Sequence, residues 1–284
     1  MRAFTYERPD RLADALALLA DGGDGGARPL AGGTDLIIRL RDGTMRPSTV
    51  VDLKGIGELS RGIRVEDGRL RIGARTTMTD LLRDERIRRD YTALAEAAAY
   101  VGSVQIRNRA TLAGNICNAS PAADTAPALL AFEARVIAVG PAGRRVIPLD
   151  DFFVRSGVTT LETGELVEAI EMPLPSGSPA SAHARRTRRR GHDLASVTLA
   201  VVIDDQGVTR VSYGSVGPRP IVALDESRIL ADAGASDDAV RDRLDELFVA
   251  AAPSPTSMRA SPEYRLAMLR VMGLRAVRAA QTRV

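Results

Sequence analysis

Apolar and polar positions follow two rhythms along this chain, one of period two and one of period three to four. AFTY (3–6) reads as a short strand. Leu12, Leu16 and Leu19 then recur at helical spacing behind Asp10, which predicts a capped helix ended by DGGDGG (21–26). ARPLA (27–31) is a second strand, AGG a turn, and a short helix from Thr34 or Asp35 is expected to bury Leu36, Ile37 and Leu40. STVVDL supplies a third strand and completes a β-α-β unit. Residues 62–75 alternate about Asp67-Gly68 and predict a hairpin. Thr79 opens a helix over TDLLRDERIRRD, and an Ala-rich helix follows over 91–101. Residues 126–132 read as one helix, with Asp124 or Thr125 near its start. ARVIAVG and RRVIPL make a hairpin about Pro141-Ala142-Gly143, and ELVEAIEMP a further strand. PLPSGSPASA (173–182) is the clearest linker. Beyond it stand a strand pair, SVTLAVVID and VTRVSYGSV, and two helices. The last helix begins at Ser261-Pro262, as N-cap and N1 proline. The pattern divides into a larger unit over 1–175, with lobes of about 1–57 and 58–175, and a smaller α+β unit over 176–284.

Two stretches break both rhythms, PLAGGTDL (29–36) and QIRNRATLAGNICNASPAADTAP (105–127). Gly32, Gly33 and Gly114 permit φ > 0 and let main chain approach a ligand closely. Successive N–H groups in such turns form an anion-binding concavity, stronger where a helix begins. The second run continues with Asn118, Ser120 and Asp124, and so long a polar run inside a compact domain points to a ligand. The two loops together read as holding the pyrophosphate of a dinucleotide, although no Rossmann GxGxxG is present. Asp124 has two readings, a helix N-cap and a carboxylate accepting from ribityl or ribose hydroxyls. Cys117 reads as a small buried hydrophobe, with no nearby histidine to activate it.

Composition narrows the chemistry. One cysteine and two histidines exclude a disulfide framework, a zinc cluster and an iron–sulfur centre carried by this chain alone. MRAFTYERPD has no signal core, and no apolar stretch reaches the ~20 residues of a membrane span, so a cytoplasmic protein is expected. Net charge is +3, and Lys54 is the sole lysine among 39 basic residues. The run RRTRRRGHD (185–193) reads as a solvated face, as a nucleic-acid patch, or as arginine beside a flavin or phosphate. It lacks the interleaved aromatics a nucleic-acid patch wants. His192-Asp193 comes without a nucleophile elbow. A dinucleotide site without its own acid, base, nucleophile or metal suits a redox protein whose cofactor carries the chemistry.

Phe4, Tyr6 and Pro9, then AGGTDL, QIRNRATLAGN…SPAADTAPALLA and the Arg-rich entry to DLASVTLAVV, resemble a known family from end to end. It is the FAD-binding medium subunit of the molybdenum hydroxylases, such as carbon monoxide dehydrogenase, bacterial xanthine dehydrogenase and 4-hydroxybenzoyl-CoA reductase. The resemblance implies an α+β fold. A two-lobed FAD-binding domain of the vanillyl-alcohol oxidase/PCMH type would precede a C-terminal α+β domain of the CO dehydrogenase flavoprotein type. FAD would lie between the lobes, with Ala31, Gly32, Gly33, Thr34 and Asp35 on one side of its pyrophosphate. Thr111, Leu112, Ala113, Gly114 and Asn115 would lie on the other, and Asp124 would hold the ribityl or ribose side. Val101 falls where the family places an apolar residue near the isoalloxazine. Leu161, Leu166 and Asp193 fall near the flavin or adenine ends, and Arg186 near a common lysine. Ala113 departs from the T-x-G-G-N of many members, and Ala tolerates φ > 0 poorly.

The resemblance implies no catalytic residue and no metal ligand on this chain. FAD would take electrons from 2Fe–2S clusters of a small partner subunit and pass them to NAD⁺, a quinone or another acceptor. A large molybdopterin subunit would oxidise the substrate, in a heterotrimer doubled by symmetry. Two other readings stand beside this one. They are a cofactor-free assembly or scaffold subunit with the same fold, and a nucleic-acid binder using residues 185–190.

Overall fold

The computed structural model describes residues 2–21, 25–177, 179–189, 191 and 193–283. The glycine run at 22–24, Arg190 and His192 lie outside them. The first lobe holds β1 (Thr5–Glu7), α1 (Leu12–Ala20), β2 (Ala27–Leu30), α2 (Leu36–Asp42) and β3 (Thr49–Asp52). β3 is the middle strand and runs parallel to both neighbours. The helical spacing of α1 buries Leu12, Ala15, Leu16 and Leu19. Asp10 does not cap it. The Leu12 N–H donates instead to Glu58 Oε1 at 3.1 Å, a cap supplied from 46 residues away. α2 buries only Leu40, while Ile37 and Ile38 stand exposed. So short a helix, packed along one edge, cannot bury the face its apolar spacing outlines.

The second lobe contains β4 (Ile63–Glu66), β5 (Arg69–Gly73), α3 (Met78–Arg83), α4 (Glu85–Asp90), α5 (Thr92–Ala99), α6 (Val104–Arg107), α7 (Leu112–Cys117) and α8 (Thr125–Ala131). It continues with β6 (Arg135–Gly140), β7 (Gly143–Pro148), α9 (Leu149–Phe152), β8 (Phe153–Arg155), β9 (Val158–Thr159) and β10 (Leu166–Pro173). The antiparallel sheet runs β4-β5-β10-β6-β7. The single helix expected over 79–90 is two. Asp84 has extended backbone, and its carboxylate accepts from the Arg86 and Ile87 N–H groups, which ends α3 and starts α4. Thr77, not Thr79, caps α3, in a capping box with Asp80. Glu168 and Glu171 are buried because arginines meet them, with Arg71–Glu171 at 2.5 Å, Arg135–Glu171 at 2.9 Å and Arg144–Glu168 at 2.6 Å.

The chain ends in β11 (Ala180–Arg186), β12 (Val197–Ile203), β13 (Thr209–Gly214), β14 (Ile221–Asp225), α10 (Asp237–Leu247) and α11 (Pro262–Gln281). These strands form an antiparallel meander. The linker reading runs too far, since β11 begins at Ala180, and the expected strand pair is the middle of a four-stranded sheet. On β12, Val197, Leu199, Val201 and Ile203 enter the core beneath α10 and α11, while Ala200 and Val202 enter that of the second lobe. Period-two alternation on a strand buried on both faces thus joins the two cores. Ser261 caps α11 and Pro262 sits in its first turn, as expected. Among the described residues, no helix is long and apolar enough to cross a membrane.

Candidate functional site

β2 runs into the turn Ala31–Asp35, where Gly33 is left-handed at φ +78°. Gly32 serves by close approach instead. A Cβ there would overlap the Arg109 carbonyl oxygen and stand 2.8 Å from the Arg109 carbon and 3.1 Å from Ala110 Cα. The main chain of the first turn therefore lies directly against the residues that lead into Thr111. That second segment is tied to its own lobe. The Ala110 carbonyl accepts from the Met78 N–H at 2.9 Å, and the Leu112 N–H donates to the Thr76 carbonyl at 3.1 Å.

Thr111 caps α7, its hydroxyl accepting the Gly114 N–H at 3.0 Å. A Cβ on Gly114 would stand 2.8 Å from that hydroxyl. Left-handed freedom, expected for Gly32, Gly33 and Gly114 alike, is used only at Gly33. Ala113 lies within the helix, and its side chain carries no strain there. Among the described residues its N–H, at the second position of α7, has no acceptor. Asn115 Oδ1 accepts from the Thr125 hydroxyl at 2.6 Å and ties α7 to α8. Across the lobes, Arg39 Nη2 of α2 donates to Asn118 Oδ1 at the end of α7, at 2.6 Å.

A second cluster forms where the second lobe meets β11. Asp124 occupies the N-cap position of α8, but its side chain makes no capping bond. Its Oδ2 lies 3.0 Å from Arg185 Nη1. Arg185 also donates to the Asp193 carbonyl at 2.6 Å and the Tyr100 carbonyl at 3.2 Å, and its guanidinium carbon lies 5.1 Å from the Tyr100 ring centroid. His183 Nε2 lies 3.0 Å from Thr198 Oγ1 and 3.8 Å from Asp124 Oδ1. Burial raises the Asp124 carboxyl to about 6, against the pull of Arg185 and the Thr198 hydroxyl. Burial, and then Arg185, lower His183 to about 3. His183 is therefore neutral near pH 7, and its approach to Asp124 is no ion pair there. Burial pushes the Cys117 thiol up to about 12, which leaves no thiolate for chemistry near neutrality.

Of the site residues expected from sequence, two groups come together. Ala31–Asp35 meets the segment that runs into Thr111–Asn115. Asp124 and Asp193 meet through Arg185, beside Tyr100 and hence next to Val101 in the chain. Arg186 turns to the other face of β11 and donates to the Tyr264 hydroxyl at 2.9 Å, apart from Arg185. Leu161 packs half-buried on the second lobe's core, and Leu166 opens β10 opposite Val139. Sequence reasoning missed Arg39, His183 and Arg185 as individuals. Only the polar run around Asn118 hinted at the first. Among the described residues no group of three or more His, Cys, Asp or Glu could hold a metal ion.

Comparison with known proteins bears on this arrangement. Residues 2–175 match the family model described as the FAD binding domain in molybdopterin dehydrogenase. Residues 182–280 match the CO dehydrogenase flavoprotein C-terminal domain. The chain is 35% identical over 274 residues to the xanthine dehydrogenase FAD-binding subunit of Escherichia coli O157:H7, covering 94% of this chain and 92% of that one. It is 32% identical over 285 residues to the carbon monoxide dehydrogenase medium chain of Afipia carboxidovorans, covering 99% and 98%. A chain of reconstituted CO dehydrogenase from Oligotropha carboxidovorans superposes with a TM-score of 0.91 at 32% identity, over 100% of this chain and 99% of that one.

Proposed function

The chain belongs to the FAD-binding subunit family of molybdenum hydroxylase-type dehydrogenases, and from that premise we propose how its own residues serve electron transfer. The observation that carries the proposal is the seam where Gly32 is laid against Arg109 and Ala110. FAD fits this seam chemically. A left-handed glycine turn, the unengaged Ala113 N–H and the Arg39 guanidinium all offer donors, which a diphosphate accepts. Ala31, Gly32, Gly33, Thr34 and Asp35 would hold one side of the diphosphate, and Thr111, Leu112, Ala113, Gly114 and Asn115 the other. Buried Asp124, whose Oδ1 has no hydrogen-bond partner among the described residues, would accept from a hydroxyl. Val101, Leu161, Leu166 and Asp193 would border the remaining length, with Arg186 outermost.

Bound FAD would supply an acceptor of two electrons that can release them to a second partner. This chain's part is to bind and orient that cofactor. Its partners in this reading are a small subunit with 2Fe–2S clusters and a large molybdopterin subunit, assembled as a doubled heterotrimer in the cytoplasm. In the layout proposed, residues 1–175 form the cofactor lobes and 176–284 the domain that closes on them through β11. Two rival readings lose their motivation. Ala113, the one support for a cofactor-free scaffold, is an ordinary helical residue. Three of the arginines proposed for nucleic acid are engaged within the chain, Arg185 with Asp124, Arg186 with Tyr264 and Arg188 with Asp193.

The test is spectroscopic. Purified full chain, alone or with its partners, should show the flavin absorption bands and bleach when a reduced iron–sulfur partner is added. Colourless protein that takes up no added FAD would overturn the cofactor reading. Flavin that stays oxidised beside the reduced partner would overturn the relay.

A further inference from the structure

Arg39 lies on α2 just after the first glycine turn, and helical side chains lean back toward the N-terminus of their helix. It reaches across the lobe boundary to Asn118, 79 residues on, at 2.6 Å. The partner is a neutral amide. Among the described residues no carboxylate comes within ion-pairing range of Arg39. Of the acids on its own helix or at its cap, Asp42 is held by the Thr44 N–H and hydroxyl at 2.9 and 2.7 Å, and Asp35 stands exposed. Arg71, Arg135 and Arg145 close on glutamates, whereas Arg39, like half-buried Arg75 and Arg107, donates only to uncharged oxygens. A part-buried guanidinium fixed by an amide keeps its full charge and most of its five donors. Through Asn118 it links the helix that follows the first glycine turn to the C-terminal end of α7, whose N-cap is Thr111.

We propose that Arg39 is a positioning residue for the diphosphate of the dinucleotide, with Asn118 as the tether that aims it. This rests on the FAD reading above and deepens it. A planar fork suits two neighbouring phosphate oxygens, and a permanent charge offsets a diphosphate where the surrounding N–H groups give only partial charge. The arrangement also couples recognition to closure. The same side chain that meets the anion holds α2 to α7, so filling the seam and drawing the lobes together are one event.

The test is titration of flavin-free full chain with FAD, and separately with ADP and riboflavin. Arg39→Ala should weaken FAD and ADP by about 10- to 100-fold, the scale of one charge-assisted hydrogen bond, and leave riboflavin unchanged. Arg39→Lys should recover part of the loss, as a point charge without the fork. Asn118→Asp separates this role from a purely structural latch. A latch would be strengthened by an ion pair, and FAD would be held as tightly or more so. A diphosphate contact would be neutralised and faced with a like charge, so FAD affinity should fall at unchanged or raised melting temperature. Equal FAD affinity in wild type, Arg39→Ala and Asn118→Asp would overturn the proposal while leaving the cofactor reading intact. Wild-type chain that binds no FAD would overturn both.

Discussion

Gly32→Val should leave the full chain folded but strip it of FAD, weakening affinity at least about a hundredfold, the equivalent of about 3 kcal/mol of overpacking. The cause is geometric. The missing side chain at Gly32 is the space in which the Arg109 carbonyl sits, and both neighbours are main chain, which cannot rotate aside. A valine can be accommodated only by parting the first turn from the second, which removes the concavity they share. Gly32→Ala should act in the same sense, because the overlap begins at Cβ. Gly33→Ala should cost less, about 1–2 kcal/mol of left-handed backbone strain. Its nearest obstacle, Leu30 Cδ1 at 2.9 Å, is a side-chain tip that can yield. Gly57→Ala is the control. No atom lies within 4 Å of a Cβ there, so stability should stay within about 0.5 kcal/mol. Fluorescence titration with FAD beside thermal melting of each variant decides the matter. Wild-type affinity in Gly32→Val would mean that the seam is not where the cofactor binds.

The pattern of the chain made the turns visible but not the reasons for them. Gly32, Gly33 and Gly114 look alike in sequence, yet one serves close approach, one a left-handed φ, and the third lies in a helix with ordinary φ, its N–H bonded to the capping hydroxyl. Periodicity located α1 and α8 through the faces they bury, and periodicity with a capping signal located α11. These signals failed where the deciding partner is distant, as with Glu58 capping α1. They failed also where one side chain outweighs periodicity, as Asp84 does between α3 and α4. β11 was hidden because ASAHARR shows almost no apolar alternation. Its small residues pack beneath α11, and its polar ones meet the second lobe, with His183 donating its N–H to Glu96 at 2.8 Å. The Arg-rich run could be recognised as a run, but not that Arg185 and Arg186 take opposite faces with different partners. Such a division depends on strand register, which a charge count does not carry.

Arg185→Gln should destabilise the full chain by about 3–5 kcal/mol near pH 7.5, since it leaves the Asp124 carboxylate buried without its cation. That loss should shrink on acidification, because Asp124 can then take up a proton. The wild-type cluster makes a more specific pH signature. Asp124, held near 6 in the folded chain against about 3.9 unfolded, contributes stability that is present below pH 4 and lost as pH rises to 6. His183, held near 3 against about 6.5 unfolded, contributes stability that is present above pH 6.5 and lost as pH falls to 3. Between pH 4 and 6 the two slopes oppose each other at about 1.4 kcal/mol per pH unit each, so their sum is nearly flat. Removing either group should expose the other. Relative to wild type, His183→Gln should gain up to about 3 kcal/mol between pH 6 and pH 4, and Asp124→Asn should lose a similar amount. Differences from wild type, taken by urea unfolding at each pH, cancel the remaining carboxylates. Arg185, Glu96, Arg283 and the Thr198 hydroxyl stay in place in both variants, so the shape of the difference belongs to the pair. Parallel stability curves for wild type and both variants would mean that Asp124 and His183 titrate as though exposed. The closure of the C-terminal sheet over Asp124 would then need another account.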